Sequence, residues 1–379
     1  MTRSVRTKTA RADGFSGVTA SGLGDIRAGG KWVTAAVVAA TAVLVVAAAP
    51  AGAAATTHHW KMYKTLSAKG MFWDTDASSW WNTWAVGQGD ARKTPLAWRW
   101  NGHKWAKVAV PSGTPHFSEV SAVSTKNTWL LAGDTTKRLL RWNNGKWTAA
   151  GAAHAKGVNH IGAAGANQLW ASGDGFIRHY DGKSWSEKKL PDKVSIGRIA
   201  VNHYNDVWAV GWKSVKKPAD DQPFAMHWNG SHWTTTSVPE YHDGDGSPAN
   251  SVMLDSVAFV GDDDVYASGS IQLGEDDNDS FLVHWNGTKW SKVSLPKKVN
   301  DTWMGSVGVA PVSDGSLWFA WANRHLSRRT PSGAWRDYLL SSKTLPSVEA
   351  VTHIPGTKTS VAVGETTRGI FHPFIALGR

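Results

Sequence analysis

A short pattern of polar and apolar positions recurs along the chain. It is a polar Asn, Asp or Gln, any residue, an aromatic, a small apolar residue, any residue, then Gly. The copies are Asn82–Gly87, Gln168–Gly173, Asp206–Gly211 and Asp264–Gly269, with Asn127–Gly133 one residue longer. Ser316–Trp321 and Thr359–Gly364 are degenerate copies. Each reads as a half-buried strand ending in a Gly. A second unit, Trp-Asn-Gly-x-x-Trp, follows at Trp100–Trp105, Trp142–Trp147, Tyr180–Trp185, Trp228–Trp233 and Trp285–Trp290, and more weakly at Thr330–Trp335. Asn-Gly and Asp-Gly tolerate positive φ, so this unit predicts a hairpin on a type I′ turn. Its two flanking Trp then form a cross-strand aromatic pair. Between the hairpin and the next first unit lies a strand of small residues, such as Glu119-Val120-Ser121-Ala122-Val123 or Arg198-Ile199-Ala200-Val201.

Four strands per repeat emerge. The anchor position of the first unit is Trp84, Trp129, Trp170, Trp208, Tyr266, Trp318 and Val361, at spacings of 38 to 58 residues. That period with four strands predicts an all-β fold, a seven-bladed β-propeller of four-stranded blades. The last repeat has its second strand at Ser360–Gly364 and a third at Ile370–Leu377, but no fourth. Trp60-Lys61-Met62-Tyr63 matches the segments that follow the other hairpins, so the expectation is that it completes the last blade and closes the ring. Closure removes an exposed sheet edge.

The runs Asp206-Val207-Trp208-Ala209-Val210-Gly211 and His227-Trp228-Asn229-Gly230-Ser231-His232-Trp233 resemble the repeats of secreted actinobacterial-type β-propellers, loosely grouped with kelch and galactose-oxidase-like chains. The hairpin also resembles the Asp-box turn of sialidase-like propellers, with Asn for Asp in most copies. The resemblance implies an architecture and no particular chemistry. The radical site of galactose oxidase needs a Cys, and this chain has none.

The first 55 residues break the pattern. Arg3, Arg6, Lys8, Arg11, Arg27 and Lys31 precede an uncharged Ala/Val-rich run from Val33 to Ala49, and small residues follow through Ala55. This is the layout of a secretory signal peptide. Residues 1–55 are therefore expected to be a leader and 56–379 one propeller domain. The alternative is a retained anchor, although the apolar run is short for a membrane span. The whole chain carries 41 Lys and Arg against 30 Asp and Glu; without the leader the balance is 35 to 28, or +7. With no Cys, neither disulfides nor thiol chemistry is available, so the core alone must hold the domain together.

Sixteen of the 24 Trp fall on framework columns and Trp32 lies in the leader. Of the other seven, Trp98 is assigned to the core, and Trp80 and Trp81 to a turn on the lower face. Trp73, Trp212, Trp303 and Trp321 are placed near the upper face, where first and last strands connect. There they could stack on sugar rings. A polar ring is expected at the upper channel mouth, from Asp74, Glu119, His160, Arg198, Ser256, Ser306 and Ser347. Arg198 and His160 join the four Trp as proposed ligand contacts. Asp74, Glu119, His160 and Arg198 would serve as acid, base and cation if the channel mouth hydrolysed or cleaved an acidic sugar. Asp243, Asp245 and Ser247 open like a calcium loop but lack its twelfth-position carboxylate, so the insertion reads as an acidic loop and no metal or cofactor is expected.

The functional reading is a secreted, non-catalytic, monomeric propeller. Outside the cell or at the cell wall, its upper face would bind carbohydrate or an anionic cell-envelope polymer. A polysaccharide lyase or glycoside hydrolase at the channel mouth is one alternative, and an extracellular protein-interaction scaffold is the other. Nucleic acid is not expected as a partner of an exported, mildly basic chain.

Overall fold

In the computed structural model of the protein, the described residues are 60–90, 94–215, 221–241, 251–272, 278–296, 306–321, 325–340, 346–366 and 371–379. Residues 1–55, Trp303 and the segment with Asp243, Asp245 and Ser247 lie outside them.

The described residues hold 28 strands, grouped as seven four-stranded antiparallel blades. Blades 4 and 5 are linked by one parallel bridge between Asp221 and Ser251. The inner strands are Gly70–Ser79, Phe117–Ser124, Val158–Gly165, Val194–His203, Ser251–Gly261, Ser306–Pro311 and Pro346–His353. Strand Trp60–Thr65 pairs with His372–Gly378, which pairs with Ser360–Thr366, so the expected closing strand completes blade 7. A single helical turn, Ala152–Ala155, interrupts the all-β pattern between blades 2 and 3.

Every inner strand slips register by one residue at the same place. The slips fall at Phe72/Asp74, Phe117/Glu119, Val158/His160, Ile196/Arg198, Leu254/Ser256, Ser306/Gly308 and Val348/Ala350. A bulge of this kind reverses the alternation of faces along a strand. Phe72, before the slip, packs against Val361, Val363 and Ile375 of blade 7. Asp74, after it, turns the other way and reaches blade 2. In the six blades other than blade 6, the bulge thus keeps an apolar residue (Phe72, Phe117, Val158, Ile196, Leu254 or Val348) in one seam and puts the position after the bulge beside the axis.

The bulge also explains the Gly of the first motif. A Cβ on Gly87, Gly211, Gly269 or Gly364 would stand 1.8 to 2.1 Å from a carbonyl oxygen of the bulged inner strand, and one on Gly173 would stand 2.0 Å from that of Gly157, just before it. No side chain fits there.

The seams are aromatic. The anchor Trp of one blade meets the hairpin pair of the next. Trp84 lies 5.7 and 6.2 Å from Trp142 and Trp147, and Trp170 lies 5.3 and 5.4 Å from Trp228 and Trp233. Trp208 lies 5.1 and 5.0 Å from Trp285 and Trp290. A second repeated device escaped the sequence reading, although its signal stands one residue before the hairpin motif. Arg99, Arg141, His179, His227 and His284 occupy that column, and in blade 6 the equivalent residue is Arg328, two residues before Thr330. Each lies over the anchor ring of its own blade. Each also bonds the polar residue that opens the second strand, as His227 does with Asp206 at 2.7 Å and Arg141 with Asn127 at 2.6 Å.

The hairpins depart from expectation. Only blade 2 makes the type I′ turn, with Asn144 at φ 48° and Gly145 at φ 90°. In blades 1, 3, 4 and 5 the Trp or Tyr–Trp pair brackets a four-residue loop. There the Asn or Asp oxygen accepts two backbone N–H bonds, as Asn101 does from His103 and Lys104 at 3.1 Å. The side chain replaces a backbone bond that the wider loop cannot make.

Candidate functional site

An inner strand is an edge strand, and its axis-facing N–H groups need acceptors. In this ring the preceding blade provides several of them. Asp74 Oδ2 accepts the Val120 N–H at 2.9 Å, Glu119 Oε2 the Ile161 N–H at 2.7 Å, and Ser256 Oγ the Val309 N–H at 3.2 Å. Two residues further along the same faces, Asp76 Oδ2 accepts from Ala122 at 2.7 Å and Ser121 Oγ from Ala163 at 3.0 Å. The sequence reading overlooked Asp76, which a step of two from Asp74 would have found.

Arg198, on blade 4, crosses the axis. Its guanidinium donates to Glu119 Oε1 at 2.8 Å and to Asp74 Oδ1 at 3.3 Å. His160 Nδ1 lies 2.6 Å from the same Glu119 oxygen. The four residues singled out in the sequence therefore form one contiguous belt across the channel. Burial pushes the Asp74 carboxyl up to about 6, with Arg198 opposing and Glu119 adding to the rise. Burial acts on Glu119 in the same sense, but Arg198 and then His160 outweigh it and hold Glu119 below the usual range. Burial works against the charge on Arg198, yet Glu119 and Asp74 hold its pKa above the ordinary value.

Below the belt, the later halves of all seven inner strands line a cavity of about 360 Å³. Its wall includes Asp76, Ser121, Asn202 and Thr352 among Val, Ile and Ala side chains.

The expected ring is corrected in blades 6 and 7. The bulge places Gly308 and Ala350, rather than Ser306 and Ser347, at the position of Asp74. Small residues on both sides of Val307 and Val348 hid the slip. A Cβ on Gly308 would sit in open contact, 3.7 Å from the Val351 nitrogen. Gly308→Ser should therefore add the cap that Ser256 gives to Val309. It is expected to stabilise the protein by about 0.5–1.5 kcal/mol, read from the urea midpoint.

The three described Trp of the expected upper-face set, Trp73, Trp212 and Trp321, do not form one platform. Trp321 is 1% exposed, its ring stacked on Phe319 and its Nε1 donating to Ser327 at 2.9 Å. It is a core residue, because its strand end faces the blade 5 seam. Trp73 and Trp212 are half-buried. Trp73 is the bulged residue of blade 1, and Trp212 lies over Gly197 of blade 4, so they stand three blades apart.

The bulged residues line the upper mouth. Among the described residues they are Trp73, Ser118, Asn159, Gly197, Asp255 and Glu349, different in each of these six blades. Asp255 is exposed and accepts a bond from Ser270, and desolvation by the surrounding protein pushes its carboxyl up to about 6. Burial raises Glu349, and it lifts Glu365 to about 7 with help from Glu349. The mouth thus gains negative charge on blades 5 and 7 across the neutral pH range.

No protein-family model matches the chain, and no curated protein matches it in sequence. Solved structures do match in shape. YCF48 from Cyanidioschyzon merolae superposes with a TM-score of 0.56 at 16% identity, covering 83% of this chain and 98% of that one. A structure of YCF48 bound to D1 peptide gives 0.56 at 14%, covering 83% and 96%. The WD40 repeats of RRP9 give 0.56 at 11%, covering 84% and 97%. At these identities the likeness establishes the β-propeller fold alone.

Proposed function

We propose that this chain is an exported, non-catalytic binding propeller, an interaction scaffold whose upper mouth receives a segment of a partner protein. One observation carries the reading. Positions that build blades repeat from blade to blade, whereas the bulged positions at the mouth carry a different residue each time. Repetition serves the framework, and divergence gathered on one rim gives a surface able to recognise one shape. The YCF48 structure with a bound D1 peptide supports the reading as a precedent for peptide binding on such a ring. The leader-like first 55 residues support export.

The belt argues against catalysis. Glu119 uses both oxygens on Ile161, His160 and Arg198, and Asp74 both of its oxygens on Val120 and Arg198. A general acid or base needs a free side facing its substrate. A glycan ligand at the same mouth is the second reading, favoured by the half-buried rings of Trp73 and Trp212.

The test compares the wild type with the triple variant Trp73→Ala, Asp255→Asn, Glu349→Gln. Cross-linking to a cell-envelope fraction, followed by peptide mapping, should give cross-links clustered on the mouth that the variant loses. Because Asp255 and Glu365 ionise across this range, a cationic segment should bind more tightly at pH 8 than at pH 5.5. Cross-links scattered over the outer blades, or turnover of an acidic polysaccharide abolished by Glu119→Gln, would reject the reading.

A further inference from the structure

The seam between blades 2 and 3 is built differently from its neighbours. The hairpin pair of blade 3 is Tyr180 and Trp185, where the flanking blades have two Trp. Of this pair, Tyr180 alone makes a ring contact with Trp129, the anchor of blade 2, among the described contacts, at 6.1 Å. Trp185 turns aside and stacks flat on His154 at 4.9 Å and an interplanar angle of 9°. In blades 2, 5 and 6 the second Trp ties back to the blade before it. Trp147 Nε1 donates to Ala109 at 2.7 Å and Trp290 Nε1 to Thr236 at 3.0 Å. Among the described contacts Trp185 has no such bond.

The displaced ring leaves a cleft of about 340 Å³, within the size range of small-ligand sites. Trp129, Tyr180, Trp185 and His154 supply its aromatic walls. Its floor is the end of the outer strand Lys146–Ala149, an edge whose backbone groups face outward.

Two cations line the same cleft, Arg141 and Lys183. The Arg141 guanidinium is bonded to the amide oxygens of Asn127 and Asn167, which hold it in place without neutralising its charge. Lys183 has no ion pair among the described residues. Asp181, close by in sequence, turns its carboxylate into its own hairpin, accepting from Lys183 N–H and Ser184 N–H at 2.8 and 2.7 Å. The cleft therefore pairs flat aromatic faces with unneutralised positive charge and, at the Thr148 hydroxyl and the strand edge, with hydrogen-bonding groups.

We infer that this cleft is a binding site for a carboxylated pyranose, a uronate unit of an acidic glycan. The apolar face of the ring would lie against Trp185 or Tyr180. The carboxylate would meet Arg141 and Lys183, and the hydroxyls the outer strand edge. The site is separate from the upper mouth, and the inference stands whether or not the mouth binds a protein.

The probe is digalacturonate, with the neutral disaccharide galactobiose as its twin, followed by calorimetry and saturation-transfer NMR on the purified protein. The expected Kd is about 1 mM or tighter for digalacturonate, with galactobiose at least about tenfold weaker. Tyr180→Trp restores the pair found in blades 2, 4 and 5 and should fill the cleft, weakening binding by about tenfold or more while the melting temperature holds or rises. Lys183→Met, at an exposed position that does not threaten folding, should weaken it by about threefold to tenfold. The mouth variant Trp73→Ala, Asp255→Asn, Glu349→Gln should bind as the wild type does. Absence of millimolar binding overturns the inference, as does equal affinity for galactobiose, or binding indifferent to both Tyr180→Trp and Lys183→Met. Binding lost only in the mouth variant would assign the glycan to the mouth instead.

Discussion

Replacing Arg198 by Met should cost about 3–5 kcal/mol at pH 7.5, the usual penalty for stripping the partner from buried charge. Arg198 is the bridging cation between Asp74 and Glu119, which are 4% and 5% exposed. Both carboxylates are fixed by the inner-edge N–H groups they accept, so neither can swing out to water when Arg198 is removed. The loss should depend on pH, and the sign follows from Asp74. Its pKa rises from 3.8 to about 6 on folding. Its contribution is therefore full below about pH 4 and is lost as the pH climbs through 6. Asp76, raised by burial, acts in the same direction. Glu119, held low in the wild type, acts oppositely and loses its contribution on acidification. In Arg198→Met no cation opposes the burial of Asp74, so the variant should recover part of its deficit between pH 8 and pH 5. Asp74→Asn should flatten the wild-type slope over that interval. Urea unfolding at the two pH values measures all three. A deficit under about 1 kcal/mol and indifferent to pH would show that the belt does not hold the inner strands together.

The ring was legible in the sequence because its parts repeat. Seven anchors at a blade-like period, and a strand-like segment at Trp60 matching the outer strands, were enough to foresee seven blades and their closure. Glu119, His160 and Arg198 could be aligned because Val120, Ile161 or Ile199 follows each and a distinctive polar residue marks the place, and Asp74 took the matching place in blade 1 although Thr75 follows it. Blades 6 and 7 gave no such mark. Gly308 and Ala350 carry no functional group, and the bulge shifts the count by one residue, which periodicity alone does not register. Trp321 was misplaced for a related reason. A position at the end of a strand says which face is near, but not whether the next blade covers it. The Arg and His column before the hairpin was visible all along. It went unread because a stacked imidazole and a stacked guanidinium do the same work here with different letters. The cleft at Trp185 was beyond reach, because Tyr180 looks like a conservative variant of the motif until the ring it displaces is seen.

Deleting the closing strand through Thr65 should do more damage than any single substitution. Strand Trp60–Thr65 pairs along His372–Gly378, whose Phe374, Ile375 and Ala376 are fully buried. Without it, that strand becomes an open edge with a row of unpaired backbone groups. Trp60 also leaves. Its ring stands edge-on to Trp318 at 5.0 Å and lies so close over Gly378 that a Cβ there would come within 2.6 Å of it. The seam between blades 6 and 7 would lose its aromatic wedge, while blade 7 would keep three strands and a sticky rim. Two outcomes compete for such a rim. The ring can loosen, lowering the melting temperature by about 10 °C or more, a shift equivalent to several kcal/mol for a domain of this size. Or the open edge can pair with a second copy, giving dimers or larger species in size-exclusion chromatography. Trp60→Ala separates the wedge from the strand. It should cost about 3–5 kcal/mol and leave the protein monomeric, because backbone pairing with His372–Gly378 survives. A deletion variant that stays monomeric with an unchanged melting temperature would mean that six complete blades and three strands suffice, and that closure contributes nothing to stability.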